Sequence, residues 1–337
     1  MPRFLVLSDL HLGAHRGVHH VGVGLQAAAV MQKARLDKSA DVVVLNGDIF
    51  DNWAHPIDAV PPTWKDLMKG NEVEQFLGEI AKWDAGSVWY IKGNHDFDVP
   101  SIKPCVMFTA GTAYQELWFE HGHRMDMFNA PDPTGRYYPF GYFITRVHTQ
   151  GLHTKAPALR EAHYYFKGFD RAADKAKDQP VADVLREVSL VDIVMRAVAL
   201  DAGVQMSDKI LMPDGTSPTV QEVTDTYQNL FIEWANQIGF QTASQMLAVS
   251  VERMEWEAQE VLKGAHKRIL AMGHSHKPEY HYYDGIGGYV NDGAMCIGVP
   301  TWTRITYPDS GTDAVCIEQH AWSSGIVPPV STTWVKL

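Results

Sequence analysis

Asp41-Val42-Val43-Val44-Leu45-Asn46-Gly47-Asp48-Ile49-Phe50-Asp51 joins an unbroken β-branched run to a glycine and two carboxylates. A run without polar alternation is expected of a strand covered on both faces. The polar cluster then falls where that strand ends. The same arrangement recurs outward from this stretch. Phe4 to Leu7 reads as a strand and is followed by Asp9-Leu10-His11. Ser87 to Ile91 reads as a strand and is followed by Gly93-Asn94-His95-Asp96. His121-Gly122-His123 follows Leu117-Trp118-Phe119, and Gly273-His274-Ser275-His276 follows Arg268 to Met272. In open α/β sheets, ligands bind beyond the carboxyl ends of the strands, where loops from different strands converge. Five polar clusters at five strand ends are therefore expected to meet.

Helical periodicity fills the spaces between. Gly24 to Leu36 reads as a helix with Leu25, Ala28, Ala29 and Met31 toward a core, and Val73 to Trp83 as one with Phe76, Leu77 and Ile80 on a stripe. Strand-helix-strand repetition implies parallel pairing through right-handed crossovers. Between Phe128 and Gly264 strand signals nearly vanish, and apolar residues step by three or four: Val220, Val223, Tyr227, Leu230, Trp234 and Ile238, then Leu247, Val251, Met254, Ala258 and Val261. Strand patterns return from Arg268, with Gly288 to Asn291 and Ala314 to Glu318. The expected organisation is one α/β unit, residues 1–127 and 265–337, interrupted by a helical cap insertion at 128–264.

Composition narrows the function classes. The chain has 337 residues, 45% hydrophobic and 20% charged, which excludes a disordered or fibrous protein. Lys+Arg 29 against Asp+Glu 40 leaves a net charge of −11, which argues against a nucleic-acid partner because phosphate backbones are held by clustered cations. Bound metal ions can still supply positive charge locally. Cys105, Cys296 and Cys316 are too scattered for a disulfide framework and read as reduced structural thiols. The opening MPRFLVLSDLHLG is too short in apolar length for a signal-peptide core, and no stretch approaches a membrane span. A cytoplasmic location is expected.

The five clusters bring carboxylates, imidazoles and one amide, a donor set that suits a divalent transition metal. There are more donors than one ion needs, and two-metal sites commonly clamp a phosphoryl group. Taken singly, each motif reads equally well as turn or capping chemistry; all five in order, each behind a strand, argue for a site.

Together SDLHLG, GDIFD, GNHDFD, HGHRMD and GHSHKPE, followed by YVNDGAM, resemble the calcineurin-like metallophosphoesterase superfamily. HGHRMD and the closing NDG are most similar to its UDP-2,3-diacylglucosamine pyrophosphatase-like branch. The resemblance covers roughly residues 1–128 and 265–320. It implies two mixed sheets flanked by helices and two divalent ions, Mn first, with Fe or Zn as alternatives. It also implies that Asp9, His11, Asp48 and His276 hold one ion and Asp48, Asn94, His121 and His274 the other, Asp48 bridging. A hydroxide between the ions would attack phosphorus in line with the leaving oxygen, which His95 would assist. Asp51 and Asp96 are candidates to orient neighbouring histidines, and loop-stabilising carboxylates are the equal alternative for each. The branch carries Arg where this chain has His95, which widens the expected chemistry to phosphodiesters and pyrophosphates of small molecules generally.

Specificity must come from outside the motifs. Arg136, Tyr137, Tyr138, His153, Arg160, His163, Tyr164 and Tyr165 concentrate aromatic and cationic groups near the start of the insertion. Arg136 and Arg160 are candidates for a substrate phosphate, and His123 for a neighbouring contact, while an aromatic packing edge explains the same residues. His15, His19 and His20 read as a polar loop. The apolar stripes of the insertion suit docking on the parent domain, a lipid tail or a second copy in a homo-oligomer. Competing functions are a phosphomonoesterase or protein phosphatase, a nuclease, and an inactive metal-binding scaffold.

Overall fold

The computed structural model describes residues 2–14, 22–132, 138–154, 189–238, 246, 254–308, 314–322 and 329–336. Its first sheet has seven strands in the order β12-β11-β10-β1-β2-β3-β4. The founding strands are β1 (Arg3–Leu7), β2 (Val42–Asn46), β3 (Val88–Ile91) and β4 (Val106–Phe108), all parallel. Antiparallel β10 (Thr301–Thr306), β11 (Ala314–Ala321) and β12 (Ser331–Lys336) extend the other side of β1. The second sheet has five strands, β5-β6-β7-β9-β8. There β6 (Leu117–Glu120), β7 (Ile269–Met272) and β9 (Gly287–Asp292) run parallel, flanked by antiparallel β5 (Gly111–Tyr114) and β8 (Pro278–Tyr283). This is an α/β fold of two mixed sheets with helices, as expected.

Side-chain alternation explains why two sheets stack. Phe4 and Val6 of β1, Val44 of β2 and Ile91 of β3 meet Phe119 of β6, Ala271 of β7 and Val290 of β9 in one buried cluster between the sheets. Leu5, Leu7, Val43 and Leu45 point the opposite way, onto α1 (Val23–Leu36) and α3 (Asn71–Ile80). A short helix, α2 (Trp64–Leu67), lies between those two in the chain. Fully burying each such side chain contributes about 1.5–3 kcal/mol, enough to fix the register of both sheets.

The buried face of α1 differs from the expected one. Val23, Ala27, Val30, Met31 and Ala34 are buried, whereas Leu25 is 42% exposed. Alanines lie all round this helix, so its apolar pattern carries little phase information; contact with α3 and the sheet decides which face turns in.

The helices α4 (Phe140–Thr154), α5 (Leu190–Ala202) and α6 (Val220–Ile238) share an apolar cluster that reaches Trp53 and Ile57 in the loop after β2. Arg146 of α4 anchors them there, donating to the carbonyls of His55, Pro56, Ala59 and Leu211. By contrast α7 (Met254–Ala265) packs Met254, Ala258 and Leu262 against Leu270, Met272 and Tyr289 of the second sheet. No helix among the described residues is long and apolar enough to cross a membrane.

Candidate metal centre

Loops leaving β1, β2, β3, β6 and β7 converge at one end of the sandwich. Asp9, His11, Asp48, His274 and His276 all adopt left-handed backbone, with φ of 51°, 49°, 52°, 69° and 58°. For a non-glycine residue this conformation costs roughly 1–2 kcal/mol, so the surrounding structure must hold it. Backbone bonds do so: Asp9 N donates to Gly47 O at 3.1 Å and His11 N to Asp48 O at 2.9 Å. Strain concentrated in this way is a mark of functional loops. Two glycines make room. A Cβ at Gly93 would lie 2.1 Å from Asp48 Oδ1, and one at Gly273 would lie 2.5 Å from Asp9 Oδ2.

The structure brings all seven expected donors together. Asp9 Oδ1 lies 3.1 Å from His276 Nε2 and 3.9 Å from His11 Nε2, and the two imidazole nitrogens are 3.3 Å apart. Asp48 Oδ2 lies 3.1 Å from His121 Nε2 and 3.8 Å from His11 Nε2. Donors about 2.0–2.2 Å from a common ion are separated by about 3–3.6 Å, so the shorter contacts have the spacing of a coordination shell. Ligand-capable atoms of Asp48, His121 and His274 lie within 4.8 Å of one another, as do those of His11, Asp48 and His95. Asp48 belongs to both groups.

Orphaned atoms test the fit. Asn94 Oδ1 is buried without a hydrogen-bond partner among the described residues, while Asp9 Oδ1 and His121 Nε2 are buried facing other members of the cluster. His121 Nδ1 bonds the Asn46 carbonyl at 2.9 Å, which leaves Nε2 to face the carboxylates. A nitrogen in that position calls for a positive charge, either a proton or a metal ion. The donor set therefore fits divalent cations.

Electrostatics follow from the same crowding. Burial opposes charge on Asp9, but His276 and His121 outweigh it and hold the carboxyl at about 2. Burial likewise opposes charge on Asp48, which His121 and His95 keep well below the usual carboxylate range. Burial lowers His121, yet Asp48 and Asp9 raise it to about 10. Bound cations would reverse these histidine shifts.

Asp51 accounts for two histidines at once. One oxygen lies 2.8 Å from His11 Nδ1 and 3.0 Å from His95 Nδ1; the other accepts from the backbone N–H groups of Trp53 and Ala54. Against burial, Asp51 and Asp48 raise the His95 pKa to about 9. Trp53 packs on that imidazole with centroids 4.4 Å apart. Asp96 takes the loop-stabilising role of its two expected ones. It orients no histidine; its carboxylate accepts from the N–H groups of Ile49 and Gly93 and from the Tyr90 hydroxyl, tying the β2 and β3 loops together.

A cavity of about 250 Å³ opens over the cluster. Asp48, Asn94, His95, His274 and His276 form its floor, with Phe128, Ile144 and Thr145 on the helical side. His123 does not line it: the ring is 2% exposed and packs 5.5 Å from His121 and 6.5 Å from His274. That burial corrects its expected place beside substrate. Arg136, Tyr137, Arg160, His163, Tyr164 and Tyr165 lie outside the described residues, as do His15, His19 and His20. Tyr138 packs on Tyr142 with centroids 4.4 Å apart, an aromatic edge of the helical cluster.

Sequence reasoning passed over two partners. Asp126 accepts from His274 Nε2 at 3.1 Å and from Asn129 Nδ2 at 2.6 Å, while Asn129 Oδ1 accepts from Asn94 Nδ2 at 3.2 Å. Asp126 closes the HGHRMD motif and was legible there. Asn129 follows the motif with no signal of its own.

The chain belongs to the calcineurin-like phosphoesterase family, whose sequence model matches residues 2–315. Those bounds enclose the helical segment and end at the start of β11. Similar solved structures include a dimetal phosphatase from Danio rerio, with 9% identity, TM-score 0.46 and coverage of 99% of this chain and 98% of that one. Vacuolar protein sorting 29 from Cryptosporidium parvum has 10% identity, TM-score 0.39 and coverage of 100% and 98%. An uncharacterized protein from Streptococcus pneumoniae, described as a predicted phosphoesterase, has 12% identity, TM-score 0.38 and coverage of 100% and 98%. Among curated proteins, none matches the chain.

Proposed function

We propose that this chain hydrolyses a phosphodiester or pyrophosphate bond of a small molecule at a dinuclear centre. The observation that carries the reading is Asp48, a buried carboxylate whose Oδ2 lies between His11 Nε2 at 3.8 Å and His121 Nε2 at 3.1 Å, one from each donor set. In this reading Asp9, His11, Asp48 and His276 hold one divalent ion and Asp48, Asn94, His121 and His274 the other. The ions, when bound, neutralise phosphoryl charge and lower the pKa of water; oxygen and imidazole donors suit Mn, Fe or Zn.

The chain's own residues supply the rest. His95, held by Asp51 and Trp53 at the cavity floor, keeps a proton on its imidazole and passes it to the leaving oxygen. Asp51 is the positioning carboxylate, since it fixes His11 and His95 together. The cavity is smaller than the roughly 300–1,000 Å³ of pockets that enclose a whole ligand. It takes the reacting phosphoryl group, and the remainder of the substrate extends along α4.

Within 128–264, the helices α4, α5 and α6 then act as a cap that sets specificity, with Arg136 and Arg160 meeting a second phosphate or negative group. HGHRMD and NDG support the pyrophosphatase-like branch, while His95 in place of Arg supports a wider substrate range. The modest cavity favours a phosphomonoester as the second reading. A cytoplasmic setting accords with three free thiols.

Hydrolysis of bis(p-nitrophenyl) phosphate and p-nitrophenyl phosphate, compared with added Mn²⁺ and an Asp48→Asn control, tests the reading. Faster turnover of the diester supports it. Preference for the monoester moves the assignment to a phosphatase, and equal turnover by Asp48→Asn refutes the site.

A further inference from the structure

Cys296 reads from sequence as a structural thiol, yet it sits inside the candidate metal centre. It follows β9 in the stretch Asn291-Asp292-Gly293-Ala294-Met295-Cys296 and is fully buried. The backbone N–H of Cys296 donates to the carbonyl of Asp9 at 3.1 Å, and that of Met295 to the same oxygen at 3.3 Å. The loop is thereby fixed to the residue that heads the first donor set. Cys296 Sγ and ring nitrogens of His11 and His276 all lie within 4.8 Å of one another. Asp9 Oδ1, itself buried, lies 3.1 Å from His276 Nε2, beside that group.

We propose that Cys296 is an additional ligand at the ion position formed by Asp9, His11 and His276, and that its sulfur biases that position toward a thiophilic divalent ion such as Zn or Fe over Mn. The inference deepens the proposed function and rests on its reading of a dinuclear centre.

The chemistry is that of thiolate selection. Zinc binds sulfur at about 2.3 Å and imidazole nitrogen at about 2.0–2.1 Å. Two nitrogens and one sulfur on a tetrahedral ion then lie about 3.3–3.6 Å apart. The 3.3 Å between His11 Nε2 and His276 Nε2 has that spacing. Coordination forms one metal–sulfur bond and breaks the S–H bond, releasing the proton to solvent. Imidazole already favours Zn over Mn, and a soft thiolate widens that preference toward Zn or Fe. The two ion positions are thereby made unequal: one carries sulfur, and the other, around Asn94, His121 and His274, does not. Cys105 and Cys316 belong to neither donor group.

The test uses the full chain, stripped with chelator and titrated with Co²⁺, following bound cobalt by elemental analysis and the near-ultraviolet spectrum together. The expected result is two cobalt ions per chain and a sulfur-to-cobalt charge-transfer band. The band persists in a Cys105→Ser/Cys316→Ser variant and disappears in Cys296→Ser. Zinc competition against manganese should weaken in Cys296→Ser by at least about tenfold, since even indirect partners of a metal act on the scale of ten- to hundred-fold. Two cobalt ions bound to the unsubstituted chain without the band would overturn the sulfur ligand and leave the dinuclear reading standing. No bound cobalt would overturn both. The spectrum of Cys105→Ser/Cys316→Ser, which keeps only Cys296, decides the question even if Cys296→Ser fails to fold.

Discussion

Replacing Asp51 with Asn changes one atom and should disable two histidines. Asp51 is fully buried, and one of its oxygens lies 2.8 Å from His11 Nδ1 and 3.0 Å from His95 Nδ1. Asparagine keeps an oxygen that can still accept from Trp53 N and Ala54 N, so the local turn survives. Its NH₂ group then faces two ring nitrogens and can accept from neither. Hydrogen bonds to charged groups are worth about 1.5–3 kcal/mol each, so two such bonds put about 3–6 kcal/mol at stake. His11 can recover part of this by moving its proton to Nε2, but that tautomer no longer offers a lone pair toward Asp9 and Asp48. The loss should surface as metal affinity weakened about ten- to hundred-fold. Without the Asp51 charge, Asp48 is left to oppose burial and the His95 pKa falls from about 9. Loss of that proton donor should cost a further factor of about 10²–10⁴ in kcat. Calorimetric metal titration and saturating-metal turnover separate the two effects, with a thermal melt as a control for folding. A folded Asp51→Asn variant with wild-type metal affinity and kcat within a factor of about two would refute the positioning role.

Other perturbations have equally definite expectations. Asp48→Asn should lower metal content and abolish turnover, a larger loss than His95→Ala, which should keep both ions; equal, small losses would contradict the bridging role. Gly93→Ala drives a Cβ to 2.1 Å from Asp48 Oδ1, and it should impair metal binding more than Gly78→Ala, which meets nothing within 4 Å; the two measured alike would contradict the packing argument. Arg146→Met removes the donor to four backbone carbonyls and should destabilise by about 3 kcal/mol or more in urea unfolding, given about 1–3 kcal/mol for each stranded buried group; a shift under 1 kcal/mol would contradict it. In the metal-free chain, burial and then Asp9 push Asp292 up to about 8. Folding therefore retains a proton that the unfolded chain releases, and stability falls as pH rises from about 4 through about 8. Asp292→Asn should gain in urea midpoint relative to wild type at about pH 9 more than at about pH 4; a gain independent of pH would contradict the assignment.

The sequence makes some of this architecture plain and hides the rest for physical reasons. Parallel strands buried on both faces write uninterrupted runs such as Val42 to Leu45, and the glycines and carboxylates behind them mark the loops. The antiparallel strands beyond β1 write weaker patterns. Thr301–Thr306 mixes Thr, Trp and Arg, and Ser331–Lys336 leaves Trp334 68% exposed, so neither shows the expected apolar run. Donor residues are legible because metal chemistry restricts them to a few types at turn positions. Trp53, Asn129 and Cys296 are not, because each reaches the centre through tertiary packing rather than through a motif. Cys296 in particular is placed by two backbone bonds to Asp9, an interaction across most of the chain.

The most direct measurement is turnover of bis(p-nitrophenyl) phosphate by demetallated protein as Mn²⁺ is restored stepwise, with bound metal counted at each step. The account predicts no turnover in the stripped protein and activity that rises as the second ion binds. Undiminished turnover with no metal bound would contradict it.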